Sequence, residues 1–367
     1  MRKHWIDNLR WVTVLLVLFY HVIYFYNNKG VFGGIGGFGD YPACPQYQDV
    51  VMYILYPWFM PLLFLLAGIS ARYALERHSA KEWFGARTRK LLVPATLGLL
   101  VFQWMTGYFN TAVAGRSVEL DGLPLPVKWV VWAISGTGPL WFIQDLWLFS
   151  LLLLLVRKLD AKDRFRTWCG RAGIVSVILL GVLFWLGEQT LVRNPRPDSA
   201  DGLYNLYKPL FYLIPFLLGY FVFSHDAVQE KVKNAWVPLT GCAVVAGVAL
   251  VVTTFGQDNT SPQYLGSPLN CLYGWLACLA LMGWFSARFD RTGPVAGYLA
   301  SSSFGLYIVH YLVIGCLGYM MKTYTQLPPV AMYLLLTVAV FALSPLLYEF
   351  LRRIPFVRWC VFGEKKR

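Results

Sequence analysis

The chain has 367 residues, of which 57% are hydrophobic, 17% aromatic and only 14% charged, and its formal net charge is +13. A water-soluble domain carries about 25% charged residues, so this chain cannot cover an aqueous surface and lipid must face much of it. The excess positive charge sits in short segments between apolar runs, which argues against a nucleic-acid patch and for membrane orientation.

The first apolar run, 9–26, is longer than the about 7–15 residues of a signal-peptide core, and no A-x-A-like site follows, so it reads as a membrane span. A span needs about 20 mostly apolar residues. Nine further runs qualify: 48–70, 91–109, 139–156, 172–188, 206–223, 237–255, 268–286, 298–321 and 328–351. The run 206–223 contains Lys208, Pro209 and Pro215, which a membrane helix tolerates where neighbours satisfy the freed carbonyls. Between spans, the glycine-rich 29–39 and Asn194-Pro-Arg-Pro-Asp198 within 193–202 read as irregular connectors able to shape a pocket mouth. No repeat or long linker interrupts the pattern. The expectation is an all-α integral membrane protein, a bundle of about ten transmembrane helices forming one domain over 1–367. The seven Cys are scattered, with no CxxC or His-Cys cluster, so neither a disulfide framework nor a metal site is expected.

Ten spans put 1–10, 71–90, 157–171, 224–235, 287–297 and the tail from 352 on one side of the membrane. These segments hold 25 of the 32 Lys and Arg. The positive-inside rule then predicts that both termini are cytoplasmic.

Titratable groups deep in a bilayer are costly and therefore candidates for function. Three stand out: His21, Asp145 and His310. At about 1.5 Å per residue, His21 and His310 lie roughly 18 Å from the inner ends of their spans, and Asp145 roughly 9 Å from the outer end of its own. All three fall in one layer, which suggests a shared polar site, although any one could be a satisfied hydrogen-bond partner between helices. Arg10 and His21 are eleven residues apart, which on a helix puts them within roughly 20° on one face and about 16 Å apart. An Arg at the mouth suits an anionic ligand, and a His within suits proton transfer near neutral pH. Arg87-Thr-Arg-Lys90, just before Leu91-Leu-Val-Pro94, adds basic charge on the same side; ordinary positive-inside bias accounts for part of it.

In order along the chain, these residues resemble the membrane-bound acyltransferase-3 family. Asp7-Asn-Leu-Arg10 and the Arg-x10-His spacing to His21 resemble its opening motif. Met60-Pro-Leu-Leu-Phe-Leu-Leu-Ala-Gly68 is similar to its second span. Arg87 and Lys90 occupy the places of its Arg-x-x-Arg pair, with Lys in place of the second Arg. Gly138-Pro-Leu-Trp-Phe-Ile-Gln-Asp145 resembles its Leu-Trp-Phe segment and Ser303-Phe-Gly-Leu-Tyr-Ile-Val-His310 its late Tyr-x-x-His stretch. Leu347-Tyr-Glu-Phe-Leu-Arg-Arg353 is similar to its C-terminal ending.

The resemblance implies transfer of an acyl group, usually acetyl, from cytoplasmic acyl-coenzyme A to a hydroxyl of an envelope sugar, polysaccharide or lipid, in a bacterial inner (plasma) membrane. Arg10, Arg87, Arg89 and Lys90 would hold the coenzyme's phosphates, and His21 would be the general base. Asp145 would orient a His or stabilise its cation, while Tyr307 or His310 would bond the acceptor or the oxyanion. Trp141, one turn from Asp145, and Gln144 would meet the substrate. An acyl-His21 intermediate stays open beside direct transfer, and the oligomeric state, a homo-oligomer included, stays open too. No metal is implied. The competing class is a proton-coupled transporter or flippase, since deep His and Asp also mark proton relays; against it, no inverted repeat is evident. Arg352, Arg353 and Arg358 read as anchors at the inner interface.

Overall fold

A computed structural model of the protein describes residues 3–26, 50–113, 115, 117–192, 208–257 and 261–364. Residues 29–39 and 193–202, expected to shape a pocket mouth, lie outside these. Every regular element among the described residues is helical. Among the described residues nine helices are long and apolar enough to cross a membrane, and ten if one bent pair is counted as a single span. They are α1 (His4–Tyr26), α2 (Val50–Leu75), α3 (Ala80–Val113), α5 (Trp141–Leu159), α7 (Ile174–Leu191), α10 (Trp236–Thr254), α11 (Pro268–Arg288), α12 (Pro294–Tyr324) and α13 (Pro329–Leu351). The protein is thus a multi-pass membrane protein. On α10, Val244, Val248 and Val252 recur at i, i+4, i+8 and are all exposed, a stripe that only lipid can cover without cost.

Three features depart from the expected spans. The run 206–223 forms only thirteen helical residues, α8 (Pro209–Phe221), about 20 Å long. The chain then bends by 103° into the polar α9 (Asp226–Asn234). The span expected at 91–109 is longer, and it is interrupted by two π-helical segments, Thr88–Leu92 and Leu99–Gln103. Finally, an unanticipated apolar helix, α4 (Leu125–Ser135), runs about 16 Å, too short to cross. It packs against α3 at close range. A Cβ on Gly107 would strike the Trp132 carbonyl, and one on Gly136 the Gln103 carbonyl.

The described residues group into two compact units, and α1, α3, α5 and α12 each contribute to both. Unit 1 (Met1–Thr13, Pro45–Phe84, Leu148–Ala300) is built around α2, which packs on α8, α10 and α11 and buries Leu62, Phe64, Leu65 and Leu66 completely or nearly so. It also contains the short α6 (Arg164–Cys169). Here Arg72 is held by Asp163 and Glu76 at 3.1 and 2.8 Å, and Lys208 meets Glu188 at 2.7 Å. Unit 2 (Val14–Cys44, Gly85–Trp147, Ser301–Arg367) contains most of α3, all of α4 and α13, most of α12, and the terminal α14 (Pro355–Phe362).

Candidate active site

Two of the three expected deep groups meet in unit 2. His21 Nδ1 lies 2.9 Å from His310 Nε2, and the rings stack with centroids 5.1 Å apart. His310 is fully buried and its Nδ1 lies 2.7 Å from the Tyr307 carbonyl, one helical turn back on α12. The proton positions follow from these partners. A carbonyl can only accept, so His310 Nδ1 carries a proton; its Nε2 is then an acceptor in the neutral ring, and His21 Nδ1 donates to it. His21 Nε2 keeps its lone pair. It has no hydrogen-bond partner among the described residues, and the His21 side chain is only half-buried.

The surrounding groups fix this chain in place. Tyr311 meets His21 edge-on at 5.1 Å, and Tyr20 does so at 5.7 Å. The Tyr307 hydroxyl donates to the Pro139 carbonyl, and its ring packs on Phe142. Gly138, at φ +39°, makes the turn before α5 and lies against the Tyr311 ring; an L side chain there would be strained. Gln103 Nε2, in the second π segment, donates to the Ile308 carbonyl at 3.0 Å, and Thr106 donates to Gln103 Oε1 at 2.8 Å. α12 is thereby held at Tyr307 and Ile308, within the turn before the histidine.

Asp145 is 7% exposed, and its Oδ2 is buried without a partner. No hydrogen bond or ion pair joins it to His21 or His310. The orienting role expected of this carboxylate is filled for His310 by the Tyr307 carbonyl instead. Trp141 and Gln144 precede Asp145 by four residues and one on α5; both are part-exposed.

The basic residues divide. In unit 1, Arg10 donates to Asp7 at 3.0 Å and to Ser70 at 2.7 Å. In unit 2, Lys90 is committed elsewhere: its Nζ donates to the Phe362 carbonyl at 3.1 Å and sits 4.4 Å from the Phe304 ring centroid. Lys90 thus caps the last turn of α14. Gly363, at φ +62°, closes that turn against the first π segment, where a Cβ would collide with the Arg89 carbonyl. Arg87 is half-buried beside it. Arg89 and Arg358 each have a buried Nε with no partner. Residue type and position alone do not separate Arg358 from the other tail cations. Only the docking of α14 on α3 does so.

Sequence reasoning also missed the buried Lys208–Glu188 pair, both under 8% exposed. Glu188 at the end of a predicted span, with Lys208 at the start of the next, was the available signal. Among the described residues no cluster of three or more His, Cys, Asp or Glu could hold a metal.

The family model described as an acyltransferase domain matches residues 3–349. No curated protein and no solved structure matches the chain.

Proposed function

The chain belongs to the acyltransferase-3 family and is a membrane acyltransferase, and from that premise we propose that it moves an acyl group, acetyl in the first instance, from acyl-coenzyme A to a hydroxyl of an envelope sugar, polysaccharide or lipid. The observation that carries this reading is the open lone pair on His21 Nε2 at the end of the His21–His310–Tyr307 chain. His21 Nε2 takes the proton from the acceptor hydroxyl as its oxygen attacks the thioester carbonyl. The C–O bond forms, the C–S bond breaks, and the leaving thiolate takes the proton from His21. Positive charge arising on His21 is spread through its bond to His310, whose own proton rests on the Tyr307 carbonyl. The same lone pair serves if His21 itself is acylated first. Asp145, Trp141 and Gln144 stand for the acceptor's hydroxyls, and the unpartnered Asp145 Oδ2 is suited to accept one.

Arg87, Arg89 and Arg358 in unit 2 take the donor's phosphates, and Lys90 holds the wall they stand on; Arg10 is a phosphate residue by the family pattern alone. Guanidinium forks match phosphate oxygens in pairs. The 25-to-7 charge split supports cytoplasmic termini in a plasma membrane, and hence a cytoplasmic donor. The test is thioester consumption by purified protein given acetyl-coenzyme A. Slow release of free coenzyme by wild type and none by His21→Ala supports the assignment. If the wild type binds no acetyl-coenzyme A and the thioester stays intact, the donor assignment fails and a transport role takes precedence.

A further inference from the structure

On unit 1 a groove of about 830 Å³ lies between the end of α5, α6, α7 and α8. That is in the upper part of the range of about 300–1,000 Å³ typical of ligand sites. Its walls are apolar, among them Leu159, Phe165, Trp168, Leu183, Leu217 and Phe221. Leu159 is 90% exposed and Trp168 65%. Along α8 the lining runs from Ile214 to Phe221, about 10 Å, which fits within one leaflet of about 15 Å.

Its charged lining residues are Asp160 and Arg171. The segment 157–171 there holds six Lys and Arg and two Asp. Both carboxylates are already used. Asp160 accepts from the amides of Phe165 and Arg166 at 3.0 Å each, and Asp163 holds Arg72. Arg166 lies 3.8 Å from Glu76. The side chains of Arg157, Lys158, Lys162, Arg164 and Arg171 make no hydrogen bond or ion pair among the described residues. Arg171 thus stands unpaired in the lining of an apolar groove one leaflet deep, and four further unpaired cations lie along the same segment, 157–171.

We propose that the groove holds an acyl chain of an anionic glycerophospholipid, with the headgroup phosphate at the Arg164–Arg171 end. A zwitterionic lipid would satisfy the walls but leave the cations uncompensated, and a partner helix filling the groove would have to cover them. An anionic headgroup matches both parts at once.

The test uses the full chain in detergent. Protein stripped of lipid by extended washing is offered dioleoyl phosphatidylglycerol or dioleoyl phosphatidylcholine, and bound lipid is counted by native mass spectrometry. Phosphatidylglycerol should be retained in several-fold excess. In Arg164→Gln and Arg171→Gln, two exposed and unpartnered positions, the ratio should fall about fivefold each. Leu217→Trp, which fills the groove, should lower retention of both lipids, with circular dichroism and the melting temperature showing that each variant is folded. Equal retention of the two lipids by wild type would overturn the headgroup assignment. Retention unchanged in folded Leu217→Trp would overturn the groove as the site.

Discussion

Two facing pairs of titratable side chains among the described residues, one in each unit, are built to opposite ends. In unit 1, Lys208 and Glu188 face each other at 2.7 Å, each almost wholly buried. Each charge is the other's compensation, so moving a proton or removing either partner leaves a bare charge in a low-dielectric interior. In unit 2, His21 and His310 meet at a similar distance but need carry no charge. Their bond is one step in a chain that ends on a carbonyl at the buried end and on an unused lone pair at the open end. The first arrangement locks a structure. The second leaves a proton acceptor ready at neutral pH. Burial and proximity alone therefore do not mark a reactive pair; an uncommitted lone pair at the accessible end does.

Substitutions at either pair put that contrast to the test. The largest effect on rate is expected for His21→Ala, a loss of about 10²–10⁴-fold in turnover with the melting temperature little changed; thioester release and thermal unfolding measured on one preparation check both halves. The largest effect on stability belongs to the other pair. Lys208→Ala or Glu188→Ala should cost about 3–5 kcal/mol, whereas replacing both with Met and Leu should recover most of it. Unfolding in detergent is the readout, and a double variant no better than the singles would mean that the pair does more than compensate itself. His310→Phe keeps a ring but removes the acceptor for His21 Nδ1, and turnover should fall about tenfold, as for a lost hydrogen bond of about 1.4 kcal/mol. Among the basic residues, Arg89→Ala and Arg358→Ala should raise KM for the donor. Lys90→Met should cost about 1 kcal/mol of stability through the lost bond to Phe362 and leave that KM unchanged.

The smallest effect lies outside both pairs. Burial first, then the nearby Arg166, hold the His225 imidazole below its usual range. The folded state thus binds fewer protons there than the unfolded chain, so stability should be intact above about pH 6.5 and should decline as pH falls from there through the folded value. Melting curves across that window, repeated on His225→Gln, would isolate the contribution.

Most of the bundle was legible because span length and charge alternation are one-dimensional signals. The exceptions are informative. α4 escaped notice because it has only eleven helical residues. The sixth span looked whole because hydropathy does not register the bend after Phe221. At the site, the shared depth of His21 and His310 could be counted along the helices, and the two rings do meet. The same counting put Asp145 in their layer, but depth says nothing about azimuth, and its carboxylate bonds neither ring. The group that orients His310 is a backbone carbonyl, which every residue has and no sequence pattern marks. Lys90 and Arg358 could not be sorted by type either. Their difference depends on where α14 docks.

The two π-helical segments of α3 have a consequence of another kind. A π segment closes its hydrogen bonds over five residues rather than four, so it accommodates one more residue than an α-helical turn while the helix on either side keeps its phase. In α2, deleting one residue would rotate everything beyond it by about 100° and turn its buried face to lipid. Between Thr88 and Leu92, or between Leu99 and Gln103, a deletion can instead be absorbed by relaxation to ordinary α geometry. The third span should therefore accept a one-residue deletion at these segments with less disruption than α2 would. Motif spacings counted across Arg87 to Lys90 in homologous chains can differ by one residue while the flanking walls stay aligned.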